Sequence, residues 1–308
     1  MEIRELKTVD IGSAKLSYRL FGEKKDNIVI IENALGSCST EWWHIAEAVS
    51  EYAIVLTYDR AGYGRSSLSK LPRTPKNVAK ELHVLLEKLN LVENITIVGH
   101  SQGGLYVQQF ARDYPNMVRG LVLIDPLSAN DSYFSTLLTK KEFAQSGVDK
   151  TKALKIGVLL CSIGLGSVLK PILKKGVPFY YYSGFSKEEE QYILSSLAKT
   201  NHYKTALEEY RLSHVDDQIS ELKGERGFPD IPITLLTHSS SVLIEEIVNF
   251  GGATKEVADK VEQIWQEIMK EYLSFSNKTK WIQSKKSGHF IHLTESNLVT
   301  DSIYEILK

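Results

Sequence analysis

Cysteine is nearly absent from this chain: there are two in 308 residues, Cys38 and Cys161. Neither a CxxC spacing nor a Cys/His cluster surrounds them, so a disulfide framework and a structural zinc site are not expected, and a reducing cytoplasm fits. An excess of charge of one sign is also missing. Lys and Arg number 37 against 38 Asp and Glu, a formal charge of −1, which leaves no net field to hold a polyanion or a membrane surface. Nucleic acid is therefore not an expected partner. Long apolar runs are lacking as well. Met1 to Lys7 alternates charged with apolar residues, unlike the apolar core of a secretory leader. The most apolar stretch, Ile156 to Leu169, is bounded by Lys155 and Lys170 and is shorter than the roughly 20 residues a bilayer span takes. It is expected to be buried or lid-forming, without stable membrane insertion. No internal repeat is evident, which excludes a solenoid.

What is present is the balance of an ordinary globular protein, 43% hydrophobic and 24% charged, in a length that suits one elaborated α/β domain carrying an insertion. Asn27–Glu32, Ala53–Asp59, Asn94–Gly99 and Gly120–Asp125 are continuous apolar runs ending in polar residues or Gly, the pattern of parallel strands buried on both faces. Val78, Leu82, Leu85, Leu86 and Leu89 recur at helical spacing after Thr74-Pro75, a helix start. Glu2–Val9 and Lys15–Leu20, joined at Gly12-Ser13, read as an antiparallel edge. From Leu127 to about Phe228 the strand–helix alternation lapses. It resumes with a strand at Ile233–Thr237, a helical region around Lys255–Leu273, a strand near Lys280–Gln283 and a closing helix over Asn297–Leu307. The expected division is a core of residues 1–126 and 230–308, with a mainly helical cap at 127–229.

Gly99-His100-Ser101-Gln102-Gly103 falls where a strand gives way to a helix. The bare GxSxG string would arise by chance in about one such chain in ten, so its setting carries the weight. A tight turn there projects the serine hydroxyl from the carboxyl edge of the sheet, with free N–H groups of the next helix close by. At these residues the chain resembles the α/β-hydrolase family, over both core segments. The resemblance implies the α/β-hydrolase fold, a mostly parallel twisted sheet flanked by helices. It also implies Ser101 as nucleophile and the Gln102 backbone N–H as one oxyanion donor. Asn33-Ala34-Leu35-Gly36 stands where the family carries a His-Gly-x-Gly turn, which assigns the second donor to Leu35. Asp59-Arg60-Ala61-Gly62-Tyr63-Gly64-Arg65-Ser66 is similar to the family's DRxGxGxS turn, whose expected part is architectural.

A serine hydroxyl needs a base that titrates near neutrality, and histidine fits. His289 lies in Ser287-Gly288-His289-Phe290, between the last strand and the last helix, where the family places its base. His292 is the nearest competitor, and His100, inside the elbow, is expected to pack. The orienting acid usually follows the strand at Ile233–Thr237, but the residues there, His238-Ser239-Ser240-Ser241, include no carboxylate. Asp125, at the end of the strand after the elbow helix, is the alternative position known within this fold, with Glu245 and Glu246 as fallbacks. Together these residues describe a serine hydrolase forming an acyl-enzyme, with no cofactor or metal required. The expected substrate is a small carboxylic ester with an apolar acyl group. The same fold also serves ligand receptors, lyases and acyltransferases, so the fold alone does not choose. Trp42 and Trp43, beside the oxyanion turn, could line the pocket or anchor the first helix.

Overall fold

The apolar runs become the centre of a single sheet. In the computed structural model, which describes residues 3–23, 26–224 and 227–308, eight strands run in chain order: β1 Lys7–Asp10, β2 Lys15–Phe21, β3 Ile28–Glu32, β4 Ile54–Asp59, β5 Ile95–His100, β6 Val118–Ile124, β7 Ile233–Thr237 and β8 Thr279–Gln283. Their spatial order is β1-β2-β4-β3-β5-β6-β7-β8. The first two strands are antiparallel and the rest pair in parallel. Every residue of β5 and β7 is buried, because crossover helices cover both faces of a parallel sheet.

One face carries α2 (Pro75–Leu89) and α3 (Gln102–Asp113), whose Leu82, Leu86, Val107 and Phe110 pack on the strands. The other carries α1 (Trp43–Val49), with Trp42 and Trp43, and a closing helix with Ile303 and Ile306. The start of α2 is set as the sequence suggests. Thr74 Oγ1 accepts from the Asn77 N–H at 3.2 Å, and Pro75 occupies the first turn.

Between β6 and β7 lie seven α-helices and no strand among the described residues: α4 Ser132–Leu137, α5 Lys140–Gln145, α6 Thr151–Ser162, α7 Lys170–Leu173, α8 Lys187–Leu197, α9 Thr200–Leu212 and α10 Asp216–Ile219. After β7 come α11 (Ser240–Gly251) and α12 (Lys255–Lys270), and after β8 α13 (Ile291–Thr294) and α14 (Ser296–Leu307). The β6–β7 insertion is tied to the sheet through Arg60. Its guanidinium reaches Glu32 Oε1 at 2.7 Å and Glu209 Oε2 of α9 at 2.9 Å. Arg73 reaches Glu209 Oε1 at 3.1 Å, and Tyr192 of α8 donates to Asp59. The DRxGxGxS-like segment is thus architectural, as expected: it is where the insertion is keyed to the core.

Three readings need correction. The first strand is shorter than Glu2–Val9: Ile3–Glu5 form a 3-10 turn, and the Ile3 N–H donates to Glu188 of α8 at 3.4 Å, a tertiary contact that draws the segment off the sheet. Glu2 itself lies outside the described residues. Helix α11 was not anticipated. The Ile156–Leu169 stretch belongs to the insertion, yet much of it is not buried. One side of α6 packs on α9, with Gly157 against Tyr203, while Leu159, Ile163 and Val168 are 59%, 62% and 69% exposed. No helix among the described residues is long and apolar enough to cross a membrane.

Candidate active site

Register brings the site together. His100 of β5 pairs with Ile124 of β6, and Ile124 pairs with Leu236 of β7. The residues just beyond, Ser101 and Asp125, with His238 one further along, therefore lie side by side at the carboxyl edge of the sheet. Backbone bonds fix them: the Ser101 N–H donates to the Ile124 carbonyl at 3.0 Å, the Asp125 N–H to Leu236 at 2.7 Å, and the Leu127 N–H to Ser101 at 2.8 Å.

Ser101 has φ 52° and ψ −119°, a conformation that side chains rarely adopt and that persists only where the surroundings impose it. The surroundings are tight. A Cβ on Gly103 would lie 2.6 Å from the Asn33 carbonyl oxygen, so only glycine lets α3 approach the turn after β3 this closely. Asp125 is likewise at positive φ, 42°.

His289 Nδ1 lies 2.6 Å from Asp125 Oδ2. Its Nε2 has no partner among the described residues, and the ring lines the same cavity as the half-buried Ser101. The loop that carries it is pinned at several points. Ser287 Oγ donates to Glu295 Oε2 at 2.8 Å, the Ser239 N–H to the Ser287 carbonyl at 2.8 Å, and His100 Nε2 to the His289 carbonyl at 3.0 Å. Burial and the neighbouring His289 push His100 down to a pKa of about 3, so it donates as a neutral ring. The packing expected of His100 is thus accompanied by a clamp on the loop of His289.

The other candidates separate cleanly. His292 is fully buried and stacked on Trp42, with ring centroids 4.1 Å apart, away from the cavity. Trp42 and Trp43 are fully buried and anchor α1; neither is among the residues lining the cavity. Glu245 is exposed, and Glu246 lines the cavity beside Gly288, but the carboxylate that meets His289 Nδ1 is that of Asp125. Leu35 and Gln102 both line the cavity, and neither backbone N–H donates to an acceptor among the described residues. Arg60 holds the Leu35 turn from behind, donating to the Asn33 and Ala34 carbonyls at 2.5 and 2.9 Å. Asn33, in place of the family's histidine, donates to the Tyr58 carbonyl at 2.9 Å.

His238 was missed. Its Nδ1 lies 2.7 Å from Asp125 Oδ1 and its Nε2 2.7 Å from Glu262 Oε2 of α12. Burial works to lower its pKa, but Asp125 and Glu262 outweigh it and push the imidazole up to about 10. For Asp125, burial acts to raise the pKa, and the two histidines overcome it, holding the carboxyl below the usual range. The cavity encloses about 620 Å³, the size of a small-molecule site. Its lining is mainly apolar, with Phe134, Leu154, Val177, Leu243, Ile247 and Trp265.

Residues 27–152 match the family model for the alpha/beta hydrolase fold. An AB hydrolase superfamily protein of Gibberella zeae is 23% identical over 92% of this chain and 87% of its own length. A pyrrolizixenacetamide deacetylase of Xenorhabdus hominickii is 31% identical over 40% of this chain and 46% of its own. Among solved structures, a Nostoc sp PCC 7120 protein proposed to be an alpha/beta hydrolase superposes with a TM-score of 0.74 at 17% identity, covering 99% of this chain and 98% of that one. The enol-lactonase of Burkholderia xenovorans LB400 superposes with a TM-score of 0.65 at 14% identity, covering 98% and 99%. The match over residues 27–152 and the sheet order together give the chain the α/β-hydrolase fold.

Proposed function

We propose that the protein is a serine hydrolase of carboxylic esters, with Ser101 as nucleophile, His289 as base and Asp125 as the acid that orients it. The observation that carries the reading is the 2.6 Å contact between Asp125 and His289 Nδ1, made by a ring whose Nε2 is free in the cavity that Ser101 also lines. A carboxylate at Nδ1 fixes the tautomer, so that Nε2 presents a lone pair to the serine proton. Attack of Ser101 Oγ on the ester carbonyl then places negative charge on its oxygen, where the Leu35 and Gln102 N–H groups stabilise it. Collapse expels the alcohol, which takes the proton from His289. Water repeats the sequence on the acyl-enzyme and frees the acid.

Residues 127–229 serve in this reading as a cap over an apolar acyl pocket. The name of the Xenorhabdus relative, a deacetylase, supports acyl chemistry. A serine at the elbow argues against epoxide opening, which uses a carboxylate nucleophile on this fold. The test is a fluorophosphonate probe together with short p-nitrophenyl esters: Ser101 is labelled and the esters turn over, and Ser101→Ala loses both. Folded protein that neither labels nor turns over ester would instead be a receptor or lyase, and ester product in excess alcohol would mark an acyltransferase.

A further inference from the structure

The acid of the site is held by two imidazoles. His238 stands at the end of β7, where the family usually carries its carboxylate, and it is fully buried between two others. Each ring nitrogen lies 2.7 Å from a carboxylate oxygen, Nδ1 from Asp125 and Nε2 from Glu262. Both carboxylates act as acceptors in their other contacts. Asp125 Oδ2 faces His289 Nδ1, the His238 N–H also reaches Asp125 Oδ1 at 3.4 Å, and Glu262 Oε1 accepts from Gln266 Nε2 at 2.7 Å. Two acceptors on opposite sides of one ring require a proton on each nitrogen.

We infer that His238 is a standing imidazolium that positions Asp125, bridging it to Glu262 and tempering the negative charge that the catalytic imidazole meets. The inference rests on the assignment of Asp125 as the acid and goes beyond it. The line Asp125–His238–Glu262 carries one net negative charge, as a lone aspartate would, but that charge is displaced toward Glu262. The carboxylate is gripped on one oxygen, leaving the other aimed at His289. Titratable groups facing the assembly are Asp125 from β6, Glu262 from α12, Glu246 from α11, His100 from β5, and His289 and His292 from the segment after β8. Glu246 adds negative charge on the cavity side, while burial keeps His100 and His292 neutral.

His238→Asn retains a side-chain N–H toward Asp125 Oδ1 while removing the cation, so position and charge separate. The rate of fluorophosphonate labelling at Ser101 is followed from pH 4 to 9 in both proteins. The acid limb of the variant moves to higher pH by about one unit, the shift expected when a nearby cation no longer opposes protonation of His289. A residue with only a structural part would change the rate or the melting temperature and leave the limb in place, and an unmoved limb overturns the inference. Nitrogen NMR of the imidazole rings needs neither turnover nor labelling. The wild-type ring of His238 shows two protonated nitrogens at pH 8, and Glu262→Gln loses the second proton at lower pH than the wild type. A singly protonated wild-type ring at pH 8 overturns the inference, whether or not the protein is a hydrolase. An inert protein whose His238 is doubly protonated would sink the proposed function and uphold this assembly.

Discussion

Two buried charge clusters lie on this sheet and do different work. One joins Asp125, His238, Glu262 and His289 at the carboxyl edge. The other joins Glu32, Arg60, Arg73, Glu81 and Glu209 between the sheet and α9. The first has one member open to the cavity, His289, with its side chain 22% exposed. The second has none, since Arg60 and Glu209 are sealed at 1% and 0%. A charge that is to react keeps one face open, whereas charges that hold two bodies together are desolvated throughout and must be matched on every side. The cations differ for the same reason. Arginine keeps its proton at any working pH, and its fork can grip two carboxylates at once. Histidine can exchange protons, which suits the cluster that opens on the cavity.

The contrast can be broken most sharply at Asp125. Asp125→Asn should lower ester turnover by about 10⁴-fold, because the base loses the partner that fixes its tautomer. The melting temperature should fall far less than that of an Arg60 variant. Unchanged turnover would return the acid to Glu246. Next in size is Arg60→Ala, which strands Glu32 and Glu209 in the interior. It should destabilise the protein by about 3–5 kcal/mol, read by urea unfolding. A loss below about 1 kcal/mol would deny the cluster its part in holding α9.

The smallest effect is on alkaline stability. The folded-state pKa of His238, raised to about 10, exceeds the unfolded value of about 6.5. Its stabilisation is therefore complete below pH 6.5 and disappears as pH rises through 10. The stability gap between wild type and His238→Asn should narrow between pH 7 and 10.5. A gap constant over that range would mean that His238 carries no extra proton.

The sequence already showed the central strands, α2 and the elbow, because burial on both faces writes continuous apolar runs and the serine turn demands small neighbours at fixed spacing. Asp125 was singled out by its place after β6, and the structure sets it against His289 Nδ1. His238 was not. A search for a carboxylate after β7 passes over a histidine there, and Glu262 is 24 positions away on α12, a distance that only packing closes. Helix α11 did carry local signals, Ser239 before it and Gly252 in the left-handed conformation after it. Its opening run of serines read as loop. Ile3–Glu5 left the expected strand through a contact with Glu188, 185 positions away in the chain. The outward turn of Leu159 and Ile163 depends on which side of α6 meets α9, and hydrophobicity alone does not choose that side.

The guanidinium of Arg60 grips the Asn33 and Ala34 carbonyls as well as Glu209. Helix α9 and the turn before Leu35 therefore hang from one peg. Prising α9 off the sheet would slacken the very turn that carries Leu35 into the cavity wall.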